Sequence, residues 1–187
     1  ERVAEQRRAL PIGPPVEDYV FGSEDGEVPL SSLFSTSPLS DPSRPLVLYH
    51  FMFGKKQEHA CPMCSMWVDG WNGIADHLAE SVDFAVITSG SVEATAALVE
   101  EHGWTNLQVL SAADNTFKLD IGGEDADGNQ LPFVSVYERA ADGIRLTYSG
   151  SALQGDGHYR GVDLLSPVWH ILDLTKPGRR DWMPGGM

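Results

Sequence analysis

Cys61-Pro62-Met63-Cys64 constrains this chain more than any other stretch, because it holds the only two cysteines and sets them two residues apart. On a helix that starts there, positions 61 and 64 share one face a single turn apart. The two sulfurs can then close or reopen a disulfide with little backbone movement. Pro62 suits the first turn of such a helix, where its missing N–H breaks no bond. The helix N-terminus points partial positive charge at Cys61 and favours the thiolate, which is the reactive form. Two bland readings compete. Half a zinc site lacks the second Cys pair or closely spaced His pair that four ligands require. A pair of inert core thiols leaves the proline between them, after an apolar strand-like run, without a role.

The order of elements around the pair narrows the fold. Residues 1 to 10 read as a helix-compatible start that ends at Pro11, with Pro14 and Pro15 marking a stiff extended connection. Tyr19 to Phe21 reads as a short strand, and Val28 to Phe34 as another that leads into a helical turn at Leu33 and Phe34. Ser35 to Pro45 is a loop, and Leu46 to Phe53 a buried strand. The Cys-bearing helix runs towards Glu80, interrupted or bent near Gly70 and Gly73. Asp83 to Thr88 is the next strand, followed by a helix capped by Ser91 and stopped at Gly103. This strand–helix–strand–helix order predicts parallel pairing through a right-handed crossover. Phe133 to Arg139 and Ile144 to Ser149, joined at Ala141-Asp142-Gly143, read as an antiparallel hairpin. A last helix spans Val162 to Leu174, weakened by Pro167.

Assembled, these elements resemble the thioredoxin architecture: an α/β fold with a central mixed sheet, flanking helices and an N-terminal extension of short strands. The expected division is an extension over 1–45, a thioredoxin-like domain over 46–175 and an irregular tail over 176–187, within one structural domain. Pro132, just before the first hairpin strand, stands where thioredoxin-like proteins place a cis-proline facing the Cys pair, so a cis bond after Leu131 is expected.

Composition limits the partners. The 187 residues include 13 Lys and Arg against 27 Asp and Glu, a net charge of −14, and no basic run tracks phosphates. Nucleic acid and anionic membrane are therefore not expected. The longest apolar run, Leu46 to Phe53, has strand length and contains His50, so no transmembrane segment is expected. The chain begins with Glu1 and shows no leader, and its low cysteine content fits a cytoplasmic protein or one whose Cys pair is catalytic.

A more specific likeness lies in the ordered motifs Arg7-Arg8-Ala9-Leu10-Pro11, Asp18-Tyr19-Val20-Phe21, Leu33-Phe34 and Tyr49-His50-Phe51-Met52-Phe53-Gly54. It continues through Cys61-Pro62 to Cys64-Ser65, Trp67-Val68-Asp69, His77-Leu78, Gly103-Trp104 and Arg160-Gly161-Val162-Asp163. These resemble a thioredoxin-like bacterial family catalogued as a domain of unknown function, whose members are often labelled predicted dithiol-disulfide oxidoreductases. Thr105 to Ser111 and Asn115 to Lys118 match the family pattern loosely.

Within this reading Cys61 is the nucleophile and Cys64 attacks the resulting mixed disulfide from one turn inside. Pro62, Met63, Trp67, Leu131 and Pro132 are the candidate substrate-binding residues. His59, Lys55 and Lys56 are either aids to Cys61 ionisation or solvated loop residues, and the second is favoured. Trp67 shields the pair or packs in the core. Asp69 reads as a solvated or capping acid rather than a proton acceptor for Cys64, and His50 as a hydrogen-bonded core histidine. The acidic stretch Glu124 to Asp127 reads as a solvated turn rather than a calcium loop. The expected activity is thiol–disulfide exchange with a protein or small-molecule partner, without cofactor or metal. The alternatives are a thiol peroxidase at Cys61, opposed by Glu58 and Gly54 where peroxiredoxins carry Thr and Pro, and a metal-handling module in which His59 joins the two sulfurs on a soft ion.

Overall fold

Strand β4 (Leu46–His50) lies at the centre of the sheet and divides its side chains between two cores. Alternation along a strand sends successive residues to opposite faces. Leu46 and Leu48 enter one apolar cluster, while Tyr49 and Phe51 enter the other. Strand β5 (Asp83–Thr88) repeats the pattern, with Ala85 and Ile87 on the first face and Val86 on the second. The fold is a computed structural model that describes residues 1–35, 44–153, 161, 163–180, 182 and 184. Most of the expected Ser35 to Pro45 loop, part of the tail, and Arg160 and Val162 lie outside the described residues.

The sheet has the order β1-β8-β7-β4-β5-β6-β2-β3. Strands β4, β5 and β6 (Gln108–Ser111) are parallel, and β7 (Phe133–Ala140) runs antiparallel to β4 and pairs with β8 (Gly143–Ser151) as the expected hairpin. The N-terminal segment divides between the two edges. Strand β1 (Pro15–Val16) pairs with β8, whereas β2 (Val20–Ser23) pairs with β6 and with β3 (Gly26–Pro29). Before them, α1 (Arg2–Arg8) has no buried residue.

Helices α2 (Pro62–Gly73), α4 (Val92–His102) and α6 (Pro167–Asp173) carry residues of the apolar cluster on one face. Trp67, Trp71, Trp104 and Trp169 all lie in that cluster. The opposite face is filled by Phe21, Leu30 and Phe34 from the N-terminal segment and by Phe117 from the short helix α5 (Phe117–Ile121). Ser91 caps α4 by accepting a hydrogen bond from the Ala94 N–H at 3.2 Å, and Gly103 ends it in the left-handed conformation at φ 66°.

The Cys-bearing helix is interrupted at Gly73, as the sequence predicts, and a separate turn, α3 (Ala75–Leu78), completes the run. Other expectations need correction. Strand β6 and helix α5 were not expected; they are short, and only tertiary contacts supply the burial that holds them. Pro167 opens α6 instead of weakening it, since its missing N–H falls in the unpaired first turn. Among the described residues there is no cis peptide bond, so the Leu131–Pro132 bond is trans and the expected cis-proline is absent. Pro132 starts the hairpin as an ordinary strand-entry proline, and its carbonyl accepts from the Ala152 N–H at 2.9 Å.

Candidate active site at the start of the Cys-bearing helix

The chain leaves β4 and folds back before it reaches the cysteines. Gly54 and Gln57 exchange both backbone hydrogen bonds, at 2.8 and 3.0 Å, closing a tight turn with Gly54 at φ 91° and Lys55 at φ 53°. A Cβ on Gly54 would lie 2.1 Å from the Gly90 nitrogen, so this glycine is required by both dihedral and space. The Cys61 N–H then donates to the Met52 carbonyl at 3.3 Å, which brings the thiol to the end of β4.

Cys61 is the N-cap residue of α2 and Pro62 its first helical residue, as the sequence predicts. Both cysteines are free thiols; Cys61 is half-buried and Cys64, one turn inside, is 0% exposed. Their acidities part in opposite directions. A hydrogen bond from Cys64 pulls Cys61 down from 9.0 to about 6, burial opposes this, and the Cys64 and Met63 backbone N–H groups add to the lowering. Those N–H groups favour the Cys61 thiolate although the thiol makes no side-chain capping hydrogen bond of regular geometry. Burial pushes Cys64 well up, and donation to Cys61 pushes it further. Tyr49 lies beneath the pair. Burial raises its hydroxyl first and the neighbouring Cys64 next, and the hydroxyl has no hydrogen-bond partner of regular geometry.

The remaining expected site residues separate. Pro62 is half-buried and lines a groove of about 800 Å³ together with Phe53, Ala60, Met66, Leu98 and His102. Met63 is buried at the helix start, and Trp67 is 1% exposed, packed edge-on against Tyr49 and Trp169. These two hold up the Cys turn from inside and present no surface. Leu131 is half-buried and donates its N–H to the Gly123 carbonyl. His59 is exposed and Lys55 pairs with Glu124 at 2.5 Å, and neither is among the causes of the low Cys61 pKa. Asp69 accepts from the Trp104 indole N–H at 2.7 Å and faces His102, away from Cys64's causes. His50 is the expected core histidine: its Nε2 bonds Ser135 at 2.8 Å, its ring stacks on Phe117, and burial keeps it neutral.

A buried polar cluster behind the Cys turn escaped the sequence reading. Lys118, on α5, is 2% exposed, and its Nζ donates to the Phe51 carbonyl at 2.8 Å and to Gln130 Oε1 at 2.6 Å. Gln130 also bonds the Phe53 N–H and the Gly54 carbonyl, stapling the turn. Glu124, expected in a solvated turn, is buried and binds Lys55 and Ser89, whereas its neighbour Asp125 makes the exposed turn with Asn129. No motif marks these residues; a lysine in a five-residue helix reads as surface until the fold covers it.

Among the described residues no three His, Cys, Asp or Glu side chains gather in a metal-binding group, so His59 does not join the two sulfurs. No helix is long and apolar enough to cross a membrane, again among the described residues.

Known structures repeat this fold. A Cys-to-Ser mutant of Xanthomonas campestris peroxiredoxin Q superposes with a TM-score of 0.58 at 11% identity, covering 86% of this chain and 95% of the other. A Xylella fastidiosa PrxQ mutant gives 0.56 at 15% identity over 85% and 95%. Peroxidoxin BcpB from Mycobacterium tuberculosis gives 0.52 at 19% identity over 69% and 79%. At these identities the likeness concerns the thioredoxin-like fold alone. No curated protein matches the chain. One family model does, over residues 1–185, and the chain accordingly belongs to the bacterial proteins of unknown function grouped as DUF899.

Proposed function

We propose that the protein is a thiol–disulfide oxidoreductase acting through Cys61 and Cys64 on a protein or small-molecule disulfide. The observation that carries this reading is the asymmetry of the pair: an accessible thiol of depressed pKa touching a fully buried one at the start of a helix. The Cys61 thiolate attacks the partner disulfide, whose S–S bond breaks as one partner sulfur leaves with the electron pair and takes a proton. Cys64 then attacks the Cys61 sulfur of the mixed disulfide. The Cys61–Cys64 bond forms, the second partner sulfur leaves, and two electrons have passed from protein to partner. The groove beside Pro62 and Met66 is where a substrate segment would lie. Pro132, trans and buried, lends this reading no support.

A second reading is favoured by the structural neighbours, which are peroxiredoxins: Cys61 would be oxidised by a peroxide and Cys64 would resolve the sulfenic acid. Against it, Gly54 at φ 91° occupies a conformation closed to the proline that peroxiredoxins carry there. The test is to compare reduced protein against Ellman's reagent, dithiobis(nitrobenzoate), and against hydrogen peroxide. Exchange predicts loss of both thiols in a monomer, with two nitrothiobenzoates released and slow peroxide consumption. Persistence of both thiols after mild oxidation, or covalent dimers as the main product, overturns the proposal. Peroxide consumption faster than exchange selects the second reading.

A further inference from the structure

Cys64 poses an electrostatic problem that the exchange cycle must solve. It is fully buried, its thiol is pushed well up, and yet it has to become a thiolate to attack Cys61. A negative charge formed there needs a positive one nearby in the same low-dielectric interior. We propose, resting on the exchange reading above, that Lys118 supplies it: ionisation of Cys64 is matched by uptake of a proton on Lys118, so that the interior gains an ion pair and no net charge.

The geometry supports this assignment. Lys118 is 2% exposed, anchored to the Phe51 carbonyl and Gln130, and Phe51 belongs to the same apolar cluster as Cys64. Gln130 also holds the turn at Gly54 that precedes the pair, so the Lys118 site and the Cys turn are parts of one hydrogen-bonded unit. The groups facing Lys118 are Glu124 from the loop after α5, Cys64 from α2, Lys55 from the turn after β4, and His50 on β4, which burial holds neutral. Burial dominates and brings Lys118 from 10.5 down to about 7, while Glu124 and Cys64 favour its cation and Lys55 opposes it. Besides Lys118, whose anchor Phe51 precedes the Met52 carbonyl that accepts from the Cys61 N–H, the groups facing Cys64 are Cys61, Tyr49 and the Met52 backbone, and none of these carries a positive charge. A lysine poised near neutrality can accept a proton when its neighbour loses one.

In the resolving step the Cys64 S–H bond breaks and a proton is bound by the Lys118 amine. The Cys64 sulfur bonds the Cys61 sulfur, the Cys61–partner bond breaks, and the electron pair leaves on the partner sulfur. That thiolate takes a proton from solvent, and Lys118 releases the proton it had bound to solvent and is an amine again. The oxidant is the partner disulfide. Lys118 acts through Cys64 and is a positioning residue in this cycle.

Ellman's reagent separates the two steps by stopped flow, because attack by Cys61 releases a first nitrothiobenzoate and attack by Cys64 a second. Lys118→Met should leave the first phase within about twofold, slow the second about tenfold at pH 7 and move its pH midpoint upward by about one unit. Lys118→Arg, which supplies a permanent cation in place of one formed by proton uptake, should recover most of the rate of the second phase at pH 7. A folded Lys118→Met protein, by thermal melt, whose second phase keeps the wild-type rate and pH midpoint overturns the inference. Should that variant fail to fold, Glu124→Gln serves instead. It makes the Lys118 cation less favourable and should slow only the second phase, and an unchanged second phase overturns the inference as well. Failure of the exchange reading looks different: the wild type itself would then release no nitrothiobenzoate, or a single one with a stable adduct.

Discussion

Two helices of this protein follow parallel strands of the same sheet, and their first residues are treated in opposite ways. At α4, Ser91 takes the N-cap position and its hydroxyl satisfies the Ala94 N–H. At α2, Cys61 takes the same position with no regular side-chain cap, and the N–H groups of Met63 and Cys64 instead favour its thiolate. A neutral hydroxyl in the cap position spends the unpaired donors on helix stability, about 1 kcal/mol for a typical Ser cap. A thiol there leaves the same donors available to an anion. One end is built to hold and the other to react.

The sharpest way to break this comparison is to exchange the cap chemistry. Cys61→Ser should reduce disulfide exchange to background while the helix persists, as read by nitrothiobenzoate release and far-ultraviolet circular dichroism; residual turnover through Cys64 would reverse the assignment. In the wild type, iodoacetamide should modify Cys61 with a rate that bends near pH 6 and is almost flat from 7 to 9. An ordinary thiol would gain on the order of twenty-five-fold over the same interval.

Removing the inner thiol tests where that acidity comes from. Hydrogen bonding from Cys64 is its largest cause, so Cys64→Ala should raise the Cys61 midpoint by at least about one unit. It should also leave a trapped mixed disulfide with the partner. An unchanged midpoint would assign the whole effect to the helix N-terminus.

Linkage gives a smaller effect. The folded protein holds Cys61 below its unfolded value, so the stabilisation from the thiolate is complete above pH 9 and is lost as pH falls towards about 6. Denaturant melts of reduced wild type and Cys61→Ser should therefore show the stability difference shifting against the wild type from pH 9 to 6. A difference that stays constant with pH contradicts the depressed pKa. At α4 the expected change is modest and purely structural: Ser91→Ala should cost about 1 kcal/mol in urea unfolding and leave both exchange phases as they were.

Local pattern was enough for much of this molecule. The Cys spacing with Pro62 marked the start of α2, Ser91 and Gly103 bounded α4, and alternation around Ala141-Asp142-Gly143 marked the hairpin. Each of these signals acts over a few residues through dihedral preference, capping or side-chain period. Signals of that kind were absent where burial by distant chain was decisive. Strand β6 and helix α5 are too short to declare themselves, and the isomer at Pro132 depends on the surrounding packing rather than on the residue before it.

Sequence by itself determined which residues could do thiol chemistry and in which order strands and helices would present them, because both follow from residue type and spacing. Tertiary structure alone decided that Trp67 and Met63 would support the Cys turn from inside, that Glu124 would leave the surface, and that Lys118 would be buried behind Cys64. The physical reason is that ionisation and exposure depend on what the rest of the chain brings near a group, through desolvation and through charges and hydrogen bonds across the fold. Lys118 bonds Phe51 and Gln130, 67 residues before it and 12 after it, and no local pattern records such a meeting.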